Sequence, residues 1–194
     1  FRCVFSHAVS LNIAAISRSL SKEWNAEDGF VAGWSNPAAN NDRFRSNEEA
    51  QSVIIGAVAN GLEVVKDQQL KPIAPIGADY KSYKKALFWR SNLTRDFMTS
   101  TLLGLRDFTT ISGILGELPK ERHWIGGAVA FKFKPALTTL SVLEGAVSEM
   151  ISSPEKAPQL SYLIVVTRSL QTLIGEQAAR ALDLPSTFSP LDGD

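Results

Sequence analysis

The chain has 194 residues, 44% of them hydrophobic and 21% charged, which is typical of a globular protein with room for one large domain. Its 20 lysines and arginines balance its 20 aspartates and glutamates, so no net charge attracts nucleic acid or anionic lipid. No apolar run approaches the roughly 20 residues that a membrane span needs. The composition therefore argues against nucleic acid as a partner and against a transmembrane segment.

The chain contains one cysteine, Cys3, in an apolar stretch near its start. A single cysteine cannot form an internal disulfide or a thiolate metal site. We expect Cys3 to be a small buried hydrophobic residue, and the alternative is a lipid-attachment cysteine. Because the sequence opens within a helical pattern and without Met, we also expect it to be part of a longer gene product.

The first predicted helix covers residues 4–24, where apolar residues recur in steps of three and four. They form one stripe: Phe5, Val9, Ile13, Ile16, Leu20 and Trp24. Residues 25–45 break this pattern with turn-forming residues. We expect Phe30, Val31 and Trp34 to pack this loop onto the rest of the protein.

A second helix is predicted to begin at Ser46, because Ser46 and Glu49 have the spacing of a capping box. It ends before Pro72, since a proline restricts the residue that precedes it. Residues 71–79, which contain three turn-forming residues, are predicted to be a stiff connector.

Residues 80–112 are predicted to form a third helix, in which Gly104 offers a point of close approach for another helix. Residues 111–119 are predicted to form a short helical turn and a loop. Residues 123–133 alternate partly like a strand, but their surroundings favour a helix over 127–152. A loop at 153–158 and a final helix over 160–182 follow.

Each of these long helices carries one apolar stripe. Such helices bury their stripes best in an antiparallel four-helix-type bundle around a common core. The sequence therefore predicts an all-α fold, with residues 1–194 as a single helical-bundle domain.

Several short motifs resemble, in order and spacing, the imelysin-like family of iron-regulated, peptidase-like bacterial proteins. The chain ends in Phe188-Ser-Pro-Leu-Asp-Gly-Asp194, which is similar to the Asp-Gly-Asp tail of that family. Lys71-Pro-Ile-Ala-Pro-Ile-Gly77 resembles its inter-helix connector, and Phe88-Trp-Arg-Ser91 resembles the entry to a long helix. Lys22-Glu-Trp24, before a polar loop, is also similar to a family feature.

The resemblance implies the C-terminal bundle of a two-bundle periplasmic protein linked to iron supply. The partner it implies is the N-terminal bundle of the same protein, and a further partner would be an outer-membrane or periplasmic protein. It also implies a signal peptide and, as a lipoprotein, an outer-membrane lipid anchor upstream of this chain. Iron or another divalent cation would be the cofactor of the complete protein.

The family's Gly-x-His-x-x-Glu signature, which resembles a metal-ligand pair on one helical face, does not occur in this sequence. His7 precedes Ala8-Val9-Ser10, and His123 precedes Trp124-Ile125-Gly126. We expect both histidines to be ordinary surface or loop residues. No metal ligand and no catalytic residue can therefore be assigned to this chain from its sequence.

Two groups of residues are candidates for ligand binding. Trp89, Arg90 and Ser91 lie where a helix begins or bends, and a guanidinium there could bind an anion in a cleft between two bundles. Asp192 and Asp194 flank Gly193 and could cap a helix or supply oxygen ligands to a hard cation. The alternatives are an ion pair or helix-end contact for Arg90 and a solvated tail for the two aspartates.

Two functions from different classes follow. The chain is a binding module that holds iron, a ligand or a protein at an inter-bundle cleft, or it completes a metallopeptidase whose ligands lie in the other bundle. A partner-binding bundle without a small ligand is the third possibility. If a second bundle is missing, one face of this chain should be unusually apolar.

Overall fold

The computed structural model describes residues 2–74 and 82–184, and this part of the protein is all-α, without any strand. None of the helices described is both long and apolar enough to cross a membrane. The chain divides into two compact units, Phe1–Ala50 and Gln51–Asp194. The all-α fold class is confirmed, whereas the antiparallel four-helix arrangement and the single domain over 1–194 stay predictions.

The α-helices lie close to the predicted segments, with three departures described below. Their bounds are α1 Arg2–Trp24, α2 Phe30–Ser35, α3 Asn47–Glu63, α4 Thr94–Ile111, α5 Trp124–Val142, α6 Val147–Ser152, α7 Ala157–Gln171 and α8 Ala179–Ala181. Short 3₁₀ turns occupy Tyr83–Lys85, Ile114–Gly116 and Lys120–Arg122. Two π-helical segments, Val64–Leu70 and Thr172–Ala178, extend α3 and α7.

An aromatic cluster orders the first unit. Phe30 stacks on Trp24 with ring centroids 4.4 Å apart and meets Trp34 and Phe44 edge-on at 5.3 and 5.6 Å. The Asn41 side chain fixes the following loop, since its Nδ2 donates to the carbonyl of Gly33 and its Oδ1 accepts the amide N–H of Phe44. The predicted loop thus contains α2, and its aromatic residues pack on one another.

The predicted start of α3 is confirmed, and hydrogen bonds of Ser46 and Glu49 cap it. Ser46 Oγ accepts the amide N–H of Glu49, as in a capping box. The Glu49 carboxylate accepts the amide N–H of Arg45 at 2.7 Å. The helical path ends at Leu70, before Pro72, as predicted.

The prediction of a helix from residue 80 is wrong over the described residues 82–93. This stretch forms one 3₁₀ turn and a sharp turn in which Phe88 and Asn92 have φ angles of 61° and 58°. A left-handed backbone conformation cannot continue a right-handed helix. α4 therefore begins only at Thr94, whose hydroxyl donates to the carbonyl of Leu87.

The predicted helix over 127–152 is divided into α5 and α6. The chain bends at residues 143–146, where Gly145 has a φ of 96° and Leu143 is fully buried. Lys156 Nζ donates to the carbonyl of Glu144, and the Glu149 carboxylate accepts the amide N–H of Ala146. These bonds satisfy backbone groups that the break leaves open.

The second unit has one continuous hydrophobic core, to which α3, α4, α5 and α7 contribute. Its largest fully buried side chains include Phe133, Leu62 and Leu160. A Cβ at Gly61 of α3 would clash with the Leu105 side chain of α4, which occupies the space beside this glycine. Gly104, the predicted contact point, has no described atom within 4 Å of the position of a Cβ.

Candidate functional site

The predicted residues Trp89, Arg90 and Ser91 lie in the sharp turn between the 3₁₀ turn Tyr83–Lys85 and α4. The turn is strained, since Phe88 is a bulky residue in the left-handed region. The Phe88 carbonyl accepts the amide N–H groups of Ser91 and Leu93 and the Ser91 hydroxyl. These three hydrogen bonds to one carbonyl hold the turn in its uncommon conformation.

Trp89 and Arg90 form a stack on this turn. The Trp89 ring is half-buried and meets Tyr83 edge-on at 5.4 Å. The Arg90 guanidinium lies over the Trp89 ring at 4.7 Å, a cation–π contact worth about 0.5–1 kcal/mol at an exposed position. No carboxylate of the described residues forms an ion pair with Arg90. Its planar fork of N–H donors is therefore oriented by the indole and accessible to an anion.

This turn contains three of the five predicted ligand-binding residues, which are consecutive in the sequence. The Ser91 hydroxyl helps to hold the turn. Asp192 and Asp194 lie outside the described residues, as do residues 75–79 of the predicted connector. The aspartates therefore cannot be placed relative to Arg90, and a cation site built on them stays a prediction.

Neither histidine belongs to a cluster of metal ligands among the described residues. His7 is exposed on α1, and the His123 ring is 2.8 Å from the carbonyl of Leu118, where it links the ends of a short loop. Among residues 2–74 and 82–184, no group of three His, Cys, Asp or Glu side chains could hold a metal ion.

The apolar stripe predicted on the first helix is present and largely exposed. Val9 is 41% exposed, and Ile13, Ile16 and Leu20 are 59–60% exposed; we call these four residues the α1 stripe. Cys3 is exposed as well, so the expectation that it is buried is wrong. None of the described residues of α1 is buried, unlike in the helices of the second unit, so Cys3 shares the exposure of the whole helix. An exposed apolar stripe of this length is typical of an interaction surface.

Sequence reasoning missed a polar contact between the two π-helical regions. Lys66, in the first π-helical segment, donates to the side-chain oxygen of Gln171, which directly precedes the second segment, at 2.8 Å. Lys66 also pairs with Asp67, and Asp67 pairs with Lys71. π-Helical turns occur often at functional sites. The 3.6-residue apolar pattern continues through both segments, so no local signal revealed them.

A buried amide lies in the same region. Gln69 is only 3% exposed, and its side-chain oxygen has no hydrogen-bond partner among the described residues. A buried oxygen without a partner costs about 1–3 kcal/mol. The first π-helical segment therefore contains a buried polar group that lowers the stability of the fold.

No family model, no curated protein and no solved structure matches this chain. The resemblance to the imelysin-like family accordingly stays a prediction that rests on the sequence motifs.

Proposed function

We propose that this chain is a binding module: the C-terminal helical bundle of an imelysin-like periplasmic protein linked to iron uptake. In this proposal, α1 packs against a second helical bundle of the same protein. A metal, a small ligand or a protein partner binds at the cleft between the two bundles.

The observation that carries the proposal is the α1 stripe. Covering a fully exposed aliphatic side chain contributes about 1.5–3 kcal/mol. At 59–60% exposure, Ile13, Ile16 and Leu20 therefore each offer about 1–2 kcal/mol to a helix that covers them. This gain supports docking of a further helical element onto α1.

The Trp89–Arg90 stack supports ligand binding in the same protein. An oriented guanidinium without a carboxylate partner favours a carboxylate or phosphate group on the ligand or on the partner. This feature favours binding of an anionic group and supplies no nucleophile or general base for peptide hydrolysis.

The docking part can be tested with paired substitutions and sedimentation velocity. We expect the isolated chain to self-associate as its concentration rises and Ile13→Ser/Ile16→Ser to remove most of this association. The matched control is Val142→Ser/Val165→Ser, which changes two residues of the second unit that are 55% and 65% exposed. If the control reduces association as much as the α1 variant, or if the unaltered chain stays monomeric throughout, the docking role of α1 is wrong.

The binding part can be tested on the full-length product of the gene. We expect the purified protein to retain iron or another divalent cation after dialysis, measured by elemental analysis, and to leave unstructured peptides uncleaved. Metal-dependent peptide cleavage would favour the metallopeptidase alternative. A full-length protein that binds no metal and is fully active without ions would contradict the metal-based versions of both functions and leave binding of a small ligand or a protein partner.

A further inference from the structure

A polar cleft, lined by residues remote in sequence from Trp89 and Arg90, forms a different kind of candidate site. It has a volume of about 240 Å³ and lies in the second unit, where it is lined by Arg122, Gln177, Arg180 and Ala181. Two arginines and one glutamine thus line a single small polar cleft. We propose that this cleft binds a small, multiply charged anion that carries carboxylate or phosphate groups.

Backbone hydrogen bonds hold the chain in place at both arginines. Arg122 ends the 3₁₀ turn Lys120–Arg122, and its amide N–H donates to the carbonyl of Pro119 at 2.7 Å. Arg180 lies in the last helical turn, where the amide N–H groups of Asp183 and Leu184 donate to the carbonyls of Arg180 and Ala179. With Asp183 at a φ of 51°, this is a Schellman-type helix end.

The two arginines of the cleft are not neutralised by an ion pair with the described residues. No carboxylate of the described residues forms an ion pair with Arg122 or Arg180, although the whole chain has no net charge. The nearest acidic residue to Gln177 in the chain, Glu176, accepts a hydrogen bond from Thr172. Two like charges that line one cleft repel each other, and a bound anion would replace this repulsion by attraction.

The chemistry of the three side chains defines the ligand class. Each guanidinium can bind a carboxylate or a phosphate through two parallel N–H bonds. Gln177 adds an uncharged donor and acceptor, which suits a hydroxyl group on the ligand. A cleft of about 240 Å³ has room for a molecule of the size of citrate or inorganic phosphate.

Isothermal titration calorimetry at low ionic strength tests the site on the chain as it exists, with citrate and inorganic phosphate as separate probes. We expect one binding event with at least one probe, and the probe that binds identifies carboxylate or phosphate as the preferred group. Arg122→Gln and Arg180→Gln should each weaken binding about tenfold or more, since each removes a charge-assisted hydrogen bond. Arg122→Lys and Arg180→Lys keep the charge and remove the fork, so their losses should be smaller.

The matched control is Arg168→Gln, which removes an exposed arginine of α7 that does not line the cleft. We expect its affinity to stay within about twofold of the unaltered chain. Circular dichroism on each variant confirms that the helices are retained. The site is wrong if neither probe binds, or if Arg168→Gln weakens binding as much as the cleft variants.

Discussion

Replacing Ile16 and Ile55 by alanine, one at a time, compares the same change in two opposite surroundings. Ile16 belongs to the α1 stripe and is 59% exposed, whereas Ile55 lies in α3 and is 1% exposed. At a buried position, Ile→Ala costs about 2–5 kcal/mol, since it removes apolar contacts and leaves a cavity. At an exposed helical position the change is worth about 0.5 kcal/mol or less in either direction, because alanine has the higher helix propensity.

The assay is thermal unfolding followed by circular dichroism, with chemical denaturation as a second measurement. For a protein of this length, 1 kcal/mol corresponds to about 2–4 °C in Tm, so Ile55→Ala should lower Tm by roughly 4–20 °C. At a concentration at which the chain is monomeric, Ile16→Ala should change Tm by about 2 °C or less. A loss of more than about 2 kcal/mol on Ile16→Ala would refute the reasoning, since it would mean that the folded chain already covers the α1 stripe.

Three further predictions concern local interactions. The Ser46 hydroxyl is the main reason why the pKa of Glu48 is lowered. The ionised Glu48 carboxylate therefore stabilises the fold above its unfolded pKa, and this stabilisation is lost as pH falls through the lower folded pKa. Ser46→Ala should therefore raise the Glu48 pKa towards its ordinary value in an NMR titration and cost about 1 kcal/mol of unfolding free energy as a lost cap. Asn92→Ala should cost about 1 kcal/mol in chemical denaturation because of the left-handed backbone, whereas Asn92→Gly should be nearly neutral; equal losses would contradict this explanation. A double-mutant cycle of Lys66→Ala and Gln171→Ala should show a coupling of about 1 kcal/mol, and additive losses would mean that their 2.8 Å hydrogen bond contributes nothing.

The sequence predicted those parts of the fold that local chemistry determines. α1, α3 and α7 follow apolar spacing, and Ser46 and Pro72 mark the start and the end of one helical path because both act on neighbouring backbone groups. The turn at Phe88 could not be predicted, since a phenylalanine in the left-handed region gives no local signal and is held there by hydrogen bonds and ring packing.

The candidate sites were harder to predict than the helices, because only the folded chain orients their side chains or brings them together. Trp89 and Arg90 are adjacent in the sequence, so their pairing could be anticipated as a local motif, but the exposed orientation of the guanidinium could not. Lys66 and Gln171 are 105 positions apart, and only the packing of α7 on the first π-helical segment brings them together. Arg122 and Arg180 line one cleft for the same reason, because contacts distant in sequence set their positions.

The central claim is that α1 is the surface on which a second helical bundle docks, and thiol labelling tests it most directly. Ile16→Cys in a Cys3→Ser background places one reactive thiol on the α1 stripe, and its labelling rate can be compared in this chain and in the full-length product of the gene. We predict fast labelling in this chain at a concentration at which it is monomeric, since residue 16 is then exposed, and labelling at least about tenfold slower in the full-length protein. Equal rates in the two proteins would contradict the claim.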